Sequence, residues 1–290
     1  MIWWFVGCAV GTPELLVLPD ADRAGEAGEL GPFGAAWLEL AAPARVTEVV
    51  PVDVVFPTED DFDTEIGVAV TGAPVVVMIH GGLVPPERYR WLGEHWATRG
   101  YVTLLPRAEL DLAISQPGNG AVALDALRRV SRGGGRFAGI VDDDGPVAVG
   151  GHSLGGVMAA RQWTRDDDLD LLLMMASFPA NGDAIEEQAG RAVIGVSGTT
   201  DQSLTPDDFV DRNLERFGEP PLWLVEGLNH YGWTDDPTEG ELAGDGPLQG
   251  ELDALRSTAL TLLDRALDVH LRQAEIDRDA PVAGATRVQP

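Results

Sequence analysis

The chain has 290 residues, in which 20 Lys plus Arg stand against 47 Asp plus Glu for a formal net charge of −27, and every one of the cations is arginine. A surface of that sign repels phosphate backbones and disfavours anionic lipid, which excludes nucleic acid and leaves a small molecule as the expected partner. Hydrophobic residues make up 44 %, enough for a sizeable core; no run of 18 apolar residues crosses a membrane, and one cysteine, Cys8, permits no internal disulfide.

In chain order, residues 1–36 read as a leader and flexible linker, because Gly, Ala, Pro and acids (Pro19-Asp20-Ala21-Asp22, Gly25-Glu26-Ala27-Gly28-Glu29) bury little. Within them Phe5-Val6-Gly7-Cys8-Ala9 resembles a bacterial lipobox. Only six residues precede Gly7, without the charged and apolar regions of a secretory signal, so the printed start is expected to lie inside a longer one. Cys8 is then a lipid-attachment residue, the one route to a membrane, and the location is extracytoplasmic on a cell envelope; a cytoplasmic chain with an incidental Cys8 is the alternative.

Residues 37–272 form one domain. The alternating, β-branched stretch 46–56 predicts a strand. Val75-Val76-Val77-Met78-Ile79 is continuously apolar, as a strand buried on both faces of a parallel sheet must be. A helix over 86–99 ends at Gly100, the next strand covers 101–105, and a helix over 121–132 ends in Gly133-Gly134-Gly135. Strand 147–149, helix 154–163, strand 171–175, strand 192–196, helix 206–217, strand 222–225 and helix 252–270 follow. Residues 273–290 read as a flexible tail. This alternation predicts an α/β fold with a doubly wound, mostly parallel sheet. The segment 178–191, between two of these strands, is short.

The most informative stretch is Val147-Ala148-Val149-Gly150-Gly151-His152-Ser153-Leu154-Gly155-Gly156, a Gly-x-Ser-x-Gly between a strand and a helix. A serine on a sharp strand-to-helix turn projects its hydroxyl from the sheet, flanking glycines relieve crowding, and the helix N-terminus favours a developing oxyanion. With 35 glycines the bare pattern arises easily by chance; the strand–turn–helix context gives it weight.

In these residues the chain, over about 46–270, resembles the alpha/beta-hydrolase superfamily in its lidless serine esterase branch, which includes dienelactone-hydrolase-like, chlorophyllase-like and platelet-activating-factor-acetylhydrolase-like proteins. The resemblance implies a serine hydrolase acting on carboxylic esters through an acyl-enzyme, with Ser153 as nucleophile and neither metal nor organic cofactor. It implies an oxyanion hole from the backbone N–H of Leu154 and one more from Ile79-His80-Gly81-Gly82-Leu83, at Gly82 or Leu83. Of five histidines, only His230 follows a late strand on a loop, where the family carries its base. Asp201, after strand 192–196 in Ser197-Gly198-Thr199-Thr200-Asp201, is the acid it implies, with Asp183 as runner-up. His80 reads as a structural hydrogen-bonder, and Asp166-Asp167-Asp168 as a solvated turn. Pocket walls are expected among Leu83, Leu154, Phe178, Tyr231 and Trp233. Asn229-His230 and Gly244-Asp245-Gly246-Pro247 also resemble the branch's closing segment, the latter without an assigned role. The same fold hosts lyase or perhydrolase chemistry on such a triad, and binding modules with dead sites. The acidic balance fits a solvated surface and equally an adaptation to salt, which screens self-repulsion.

Overall fold

The computed structural model describes residues 26–45, 48–58, 70–112, 118–135, 137–185 and 191–288. Cys8, with its expected lipid attachment, lies outside the described residues.

Strands β1 (Gly34–Arg45) and β2 (Glu48–Thr58) open the fold, followed by β3 (Val75–Ile79), helix α1 (Arg90–Thr98) after a 3-10 turn at Pro86–Tyr89, β4 (Val102–Pro106) and α2 (Asn119–Arg132). Then come β5 (Val147–His152), α3 (Leu154–Trp163), β6 (Leu171–Met175), β7 (Ala192–Gly198), α4 (Pro206–Phe217) and β8 (Leu222–Val225). The short α5 (Glu239–Ala243), the long α6 (Leu252–Arg272) and β9 (Ala285–Val288) close it.

The strands form a single sheet in the order β1-β2-β4-β3-β5-β6-β7-β8-β9. The six from β4 to β8 run parallel, while β1, β2 and β9 join antiparallel at the edges. Burial on both faces explains the unbroken apolar runs: every residue of β3 and of β6 is buried. Val77, Val149 and Leu172 pack with Leu124 and Leu127 of α2 and Met158 and Trp163 of α3. Val76, Ala148 and Leu173 pack on the opposite face with Leu92 and Trp96 of α1 and Leu263 of α6. Each buried valine, leucine or methionine side chain here contributes about 1.5–3 kcal/mol through its removal from water. Strand order reverses between β3 and β5, so the crevice at their carboxyl ends is where this topology receives ligands.

Two segments, one at each end, differ from the sequence expectation. Residues 26–36, expected to be linker, are docked: the Gly28 N–H donates to Asp264 Oδ2 at 2.8 Å and the Gly31 N–H to Thr98 Oγ1 at 2.9 Å. β1, which starts inside that stretch, pairs with β2 along Gly34–Arg45. Residues 273–290, expected to be a flexible tail, carry β9, whose Ala285–Val288 pairs with β8. The reason is the same at both ends: the outer strand of the sheet presents unpaired N–H and C=O groups that a neighbouring segment satisfies, whatever its own composition.

The 26–36 segment docks on a buried ionic cluster between α1 and α6. Arg99 and Asp264 are both fully buried. The Arg99 guanidinium donates to Asp268 Oδ2 at 2.6 Å and lies 3.4 Å from Asp264 Oδ2. Asp264 also accepts from the Trp96 indole at 3.1 Å and meets His95 Nε2 at 2.8 Å, while Tyr101 donates to Asp268 at 2.7 Å. Burial alone pushes Asp264 up, but His95, Arg99 and the Gly28 N–H together hold its carboxyl below the usual range.

Removing Arg99 takes away the cation that the two buried carboxylates share, so Arg99→Met should destabilise the fold by about 3–5 kcal/mol. The expected readout is a lower urea midpoint at unchanged slope. A change below about 1 kcal/mol would show that the cluster is dispensable.

Candidate active site

β5 ends at His152 and α3 begins at Leu154, leaving Ser153 alone to make the turn, at φ 53° and ψ −124°. That region is sparsely populated by side-chain-bearing residues and persists only where its surroundings over-determine it. Here they do. The Ser153 N–H donates to Met175 O at 3.0 Å, and its carbonyl accepts from Gly156 N at 3.0 Å and from Ser177 Oγ at 2.6 Å. A Cβ on Gly151 would collide with the Gly155 carbonyl, and one on Gly155 with the carbonyl oxygens of Ile79 and His80. The glycines therefore let helix, elbow and β3 approach closely enough to hold Ser153 at the crevice.

The loop after β3 comes to the same place. Gly82 packs against Leu154: a Cβ there would lie 3.0 Å from Leu154 Cδ2. The two expected donors of this loop now separate. The Leu83 N–H is already bonded to Asp111 O at 2.7 Å, which takes it out of reach of a ligand, whereas Gly82 lies directly beside Leu154. His80 is buried; its Nδ1 lies 2.8 Å from Gly81 O and its Nε2 accepts from the Ala108 N–H at 3.1 Å, so it is a structural hydrogen-bonder carrying its proton on Nδ1.

His230 opens a 3-10 turn (His230–Trp233) after β8. Its Nδ1 lies 2.8 Å from Asp201 Oδ2, and both residues are buried. The other oxygen of Asp201 accepts from the Leu204 N–H at 2.7 Å. With Nδ1 donating to Asp201, the His230 lone pair is on Nε2. The ring of His152, the residue before Ser153, has its centroid 4.5 Å from that of His230.

Asp183, the alternative acid, is used elsewhere: its Oδ1 accepts from Arg161 Nε at 3.0 Å. Asp245, which the sequence left without a role, spans the two loops. Its Oδ1 accepts from Gln202 N at 3.0 Å and its Oδ2 from Tyr231 N at 3.1 Å, the residues following Asp201 and His230. Asn229 reinforces the clamp by donating to Gly246 O at 2.7 Å and accepting from Gly232 N at 2.8 Å. The sequence signal was Gly244-Asp245-Gly246-Pro247, legible as a motif but not as a contact.

Of the expected walls, Trp233 belongs to the core: it is 1 % exposed and packs in the α1/α6 cluster. That corrects its assignment as a pocket wall, since the turn after His230 folds back onto the sheet. Phe178 and Tyr231 are half-buried, Phe178 beneath the Arg212 guanidinium at 4.2 Å. Leu83 is 70 % exposed, and Leu110, which the sequence reading passed over, is 78 % exposed. Among the described residues, no three His, Cys, Asp or Glu side chains are grouped to hold a metal ion.

A family model described as "Alpha/beta hydrolase family" matches residues 75–248. The chain belongs to the alpha/beta hydrolase family. A search of curated proteins returns no match.

Burial lowers the pKa of His80, and burial followed by the neighbouring His230 lowers that of His152 well below 6.5. Both therefore bind fewer protons folded than unfolded, so stability is present above about pH 6.5 and falls as pH drops below it, by up to about 1.4 kcal/mol per unit for each group. Thermal unfolding followed from pH 7 to 5.5 should show this, with a shallower decline in His152→Gln. Equal slopes in the two proteins would mean that His152 is not held neutral.

Proposed function

We propose that this member of the alpha/beta hydrolase family is a serine-dependent carboxylic ester hydrolase of the lidless branch, with Ser153 as nucleophile, His230 as base and Asp201 as its orienting acid. The observation that carries this reading is the 2.8 Å bond between His230 Nδ1 and a buried Asp201, with the His230 ring against His152, the residue before a serine held on a strained elbow. The acid fixes the tautomer in which Nε2 can accept a proton and stabilises the imidazolium that results.

In the first step His230 Nε2 takes the proton of Ser153 Oγ as the oxygen attacks the ester carbonyl. The tetrahedral oxyanion is received by the N–H groups of Leu154 and Gly82, at the N-terminus of α3. His230 then gives the proton to the departing alcohol oxygen, breaking the C–O bond and leaving the acyl group on Ser153. A water deprotonated by His230 attacks the acyl-enzyme, and the proton returns to Ser153 as the carboxylic acid departs. The reaction calls on no metal or organic cofactor.

The substrate is a small ester with an apolar acyl or alkyl part. Leu83 at φ 60° and Leu110 at φ 53° are held in left-handed backbone conformations that expose them at the carboxyl ends of β3 and β4, and the Leu83–Asp111 backbone bond joins the two loops. Strain spent on keeping two leucines in water is explained by an apolar ligand that covers them. Phe178 and Tyr231 supply the remaining walls.

Two experiments test the reading. Ser153→Ala and His230→Ala should abolish hydrolysis of p-nitrophenyl esters without loss of fold, and Asp201→Asn should lower kcat by several orders of magnitude, on the order of 10⁴ in the protease precedent. An active Asp201→Asn beside an inactive Asp183→Asn would reassign the acid. Secondly, Leu83→Ser with Leu110→Ser should raise KM for hexanoate esters several-fold more than for acetate esters, since each buried methylene is worth about 0.8 kcal/mol. An equal effect on both chain lengths would remove the leucines from the substrate site.

A further inference from the structure

Between the crevice and α1 lies a chain of buried polar groups that the triad does not use. Tyr89, at the end of the Pro86–Tyr89 turn, is fully buried. Its hydroxyl accepts from the Gly81 N–H at 3.0 Å and lies 2.8 Å from His152 Nδ1. His152 is 1 % exposed, and its ring lies against the His230 backbone.

The protons can be assigned. Burial raises the Tyr89 phenol, so it keeps its hydrogen. The Gly81 N–H already points at the phenol oxygen, and among the described residues the acceptor that the hydroxyl hydrogen meets is His152 Nδ1. His152, neutral because it is buried, therefore carries its own proton on Nε2. The three residues that meet at this phenol and imidazole belong to three different loops. Gly81 precedes the proposed oxyanion donor Gly82, His152 precedes the proposed nucleophile Ser153, and the His152 ring lies 4.5 Å from that of His230, tilted by 48°.

We infer that Tyr89 and His152 form a positioning pair that sets the distance between the oxyanion loop and the nucleophile elbow. The inference rests on the proposed serine hydrolase mechanism. It predicts a loss expressed in the transition state. When Tyr89 is absent the Gly81 N–H and His152 Nδ1 are left unpaired in the protein interior, and the loop carrying Gly82 is free to draw back from Leu154. Ground-state binding of substrate, which does not depend on oxyanion contacts, is untouched.

The experiment is Tyr89→Phe in the full chain, assayed on p-nitrophenyl acetate and with a trifluoromethyl ketone, whose tetrahedral adduct places an oxyanion in the hole. The expected result is a kcat lower by about ten- to a hundredfold, KM within about twofold, and a ketone affinity weakened in parallel with kcat. A purely structural role lowers the melting temperature without that split. His152→Phe keeps a ring against His230 but removes the acceptor, and it carries the same test if Tyr89→Phe does not fold. Either folded variant with kcat and ketone affinity within about twofold of the parent overturns the inference. Fluorophosphonate labelling of the parent separates the two layers. A parent that is labelled at Ser153 and active, beside an equally active Tyr89→Phe, defeats the positioning pair and leaves the hydrolase reading standing. A parent that is neither labelled nor active defeats both.

Discussion

Ser153 occupies a backbone conformation that costs a side-chain-bearing residue on the order of 1–3 kcal/mol, and the sheet, α3 and the β3 loop are arranged so that it cannot leave it. β5 must run between β3 and β6, because Met175 at the end of β6 takes the Ser153 N–H. α3 must begin at Leu154, since its first turn presents the free N–H groups of the elbow. Glycine must stand at 151 and 155, where helix, strand and the carbonyls of β3 close on one another. Strained geometry of this kind is stable only when its neighbours are rigid, and the neighbours here are the fully buried central strands.

The scarcity of cations makes their placement informative. Arginines tie separate elements together: Arg99 joins α1 to α6, Arg88 reaches from the Pro86–Tyr89 turn to Glu241 at 2.9 Å and to Asp235 O at 2.5 Å, and Arg256 of α6 donates to Gly232 O at 2.9 Å. The last two fix the chain that follows His230. A planar guanidinium can hold several oxygens from different loops at once, which a lysine ammonium does with less geometric definition. In an acidic chain these bonds also place positive charge where carboxylates and carbonyls crowd, so the excess negative charge is left to the solvated surface.

The parts of the molecule legible in the sequence are those whose signal is local. The central strands show as apolar runs, α3 and α4 as strand–glycine–helix and proline-started periodic segments, and their bounds agree with the structure to the residue at Leu154–Trp163 and Pro206–Phe217. Ser153, Asp201 and His230 could be singled out because each sits at a fixed place after a strand. The edge strands were not legible: Gly34–Arg45 is rich in alanine and Ala285–Val288 has four residues, and both owe their conformation to the partner strand. Tyr89, 63 residues from His152, and Asp245, 43 from Gln202, act through contacts that no spacing rule reports. Trp233 was misplaced for a related reason, because an aromatic shortly after a late-strand histidine has the same sequence signature whether it faces ligand or core.

Residues 178–183, in the segment after β6 where lids are inserted, are held down by arginines. Phe178 lies under Arg212, the Ala180 and Asp183 carbonyls accept from Arg216 of α4, and the Asp183 carboxylate accepts from Arg161 of α3. Asp183 thus has a partner that would have to be given up before it could serve His230. Asp201 has none to give up: its two oxygens already take the Leu204 N–H and the His230 ring. The two carboxylates after successive strands therefore divide the work, one fixing the floor of the crevice to the helices below it and the other facing the imidazole above. That division follows from β7 lying one strand further from β5 than β6 does, which carries the loop bearing Asp201 toward β8 and the turn that begins at His230.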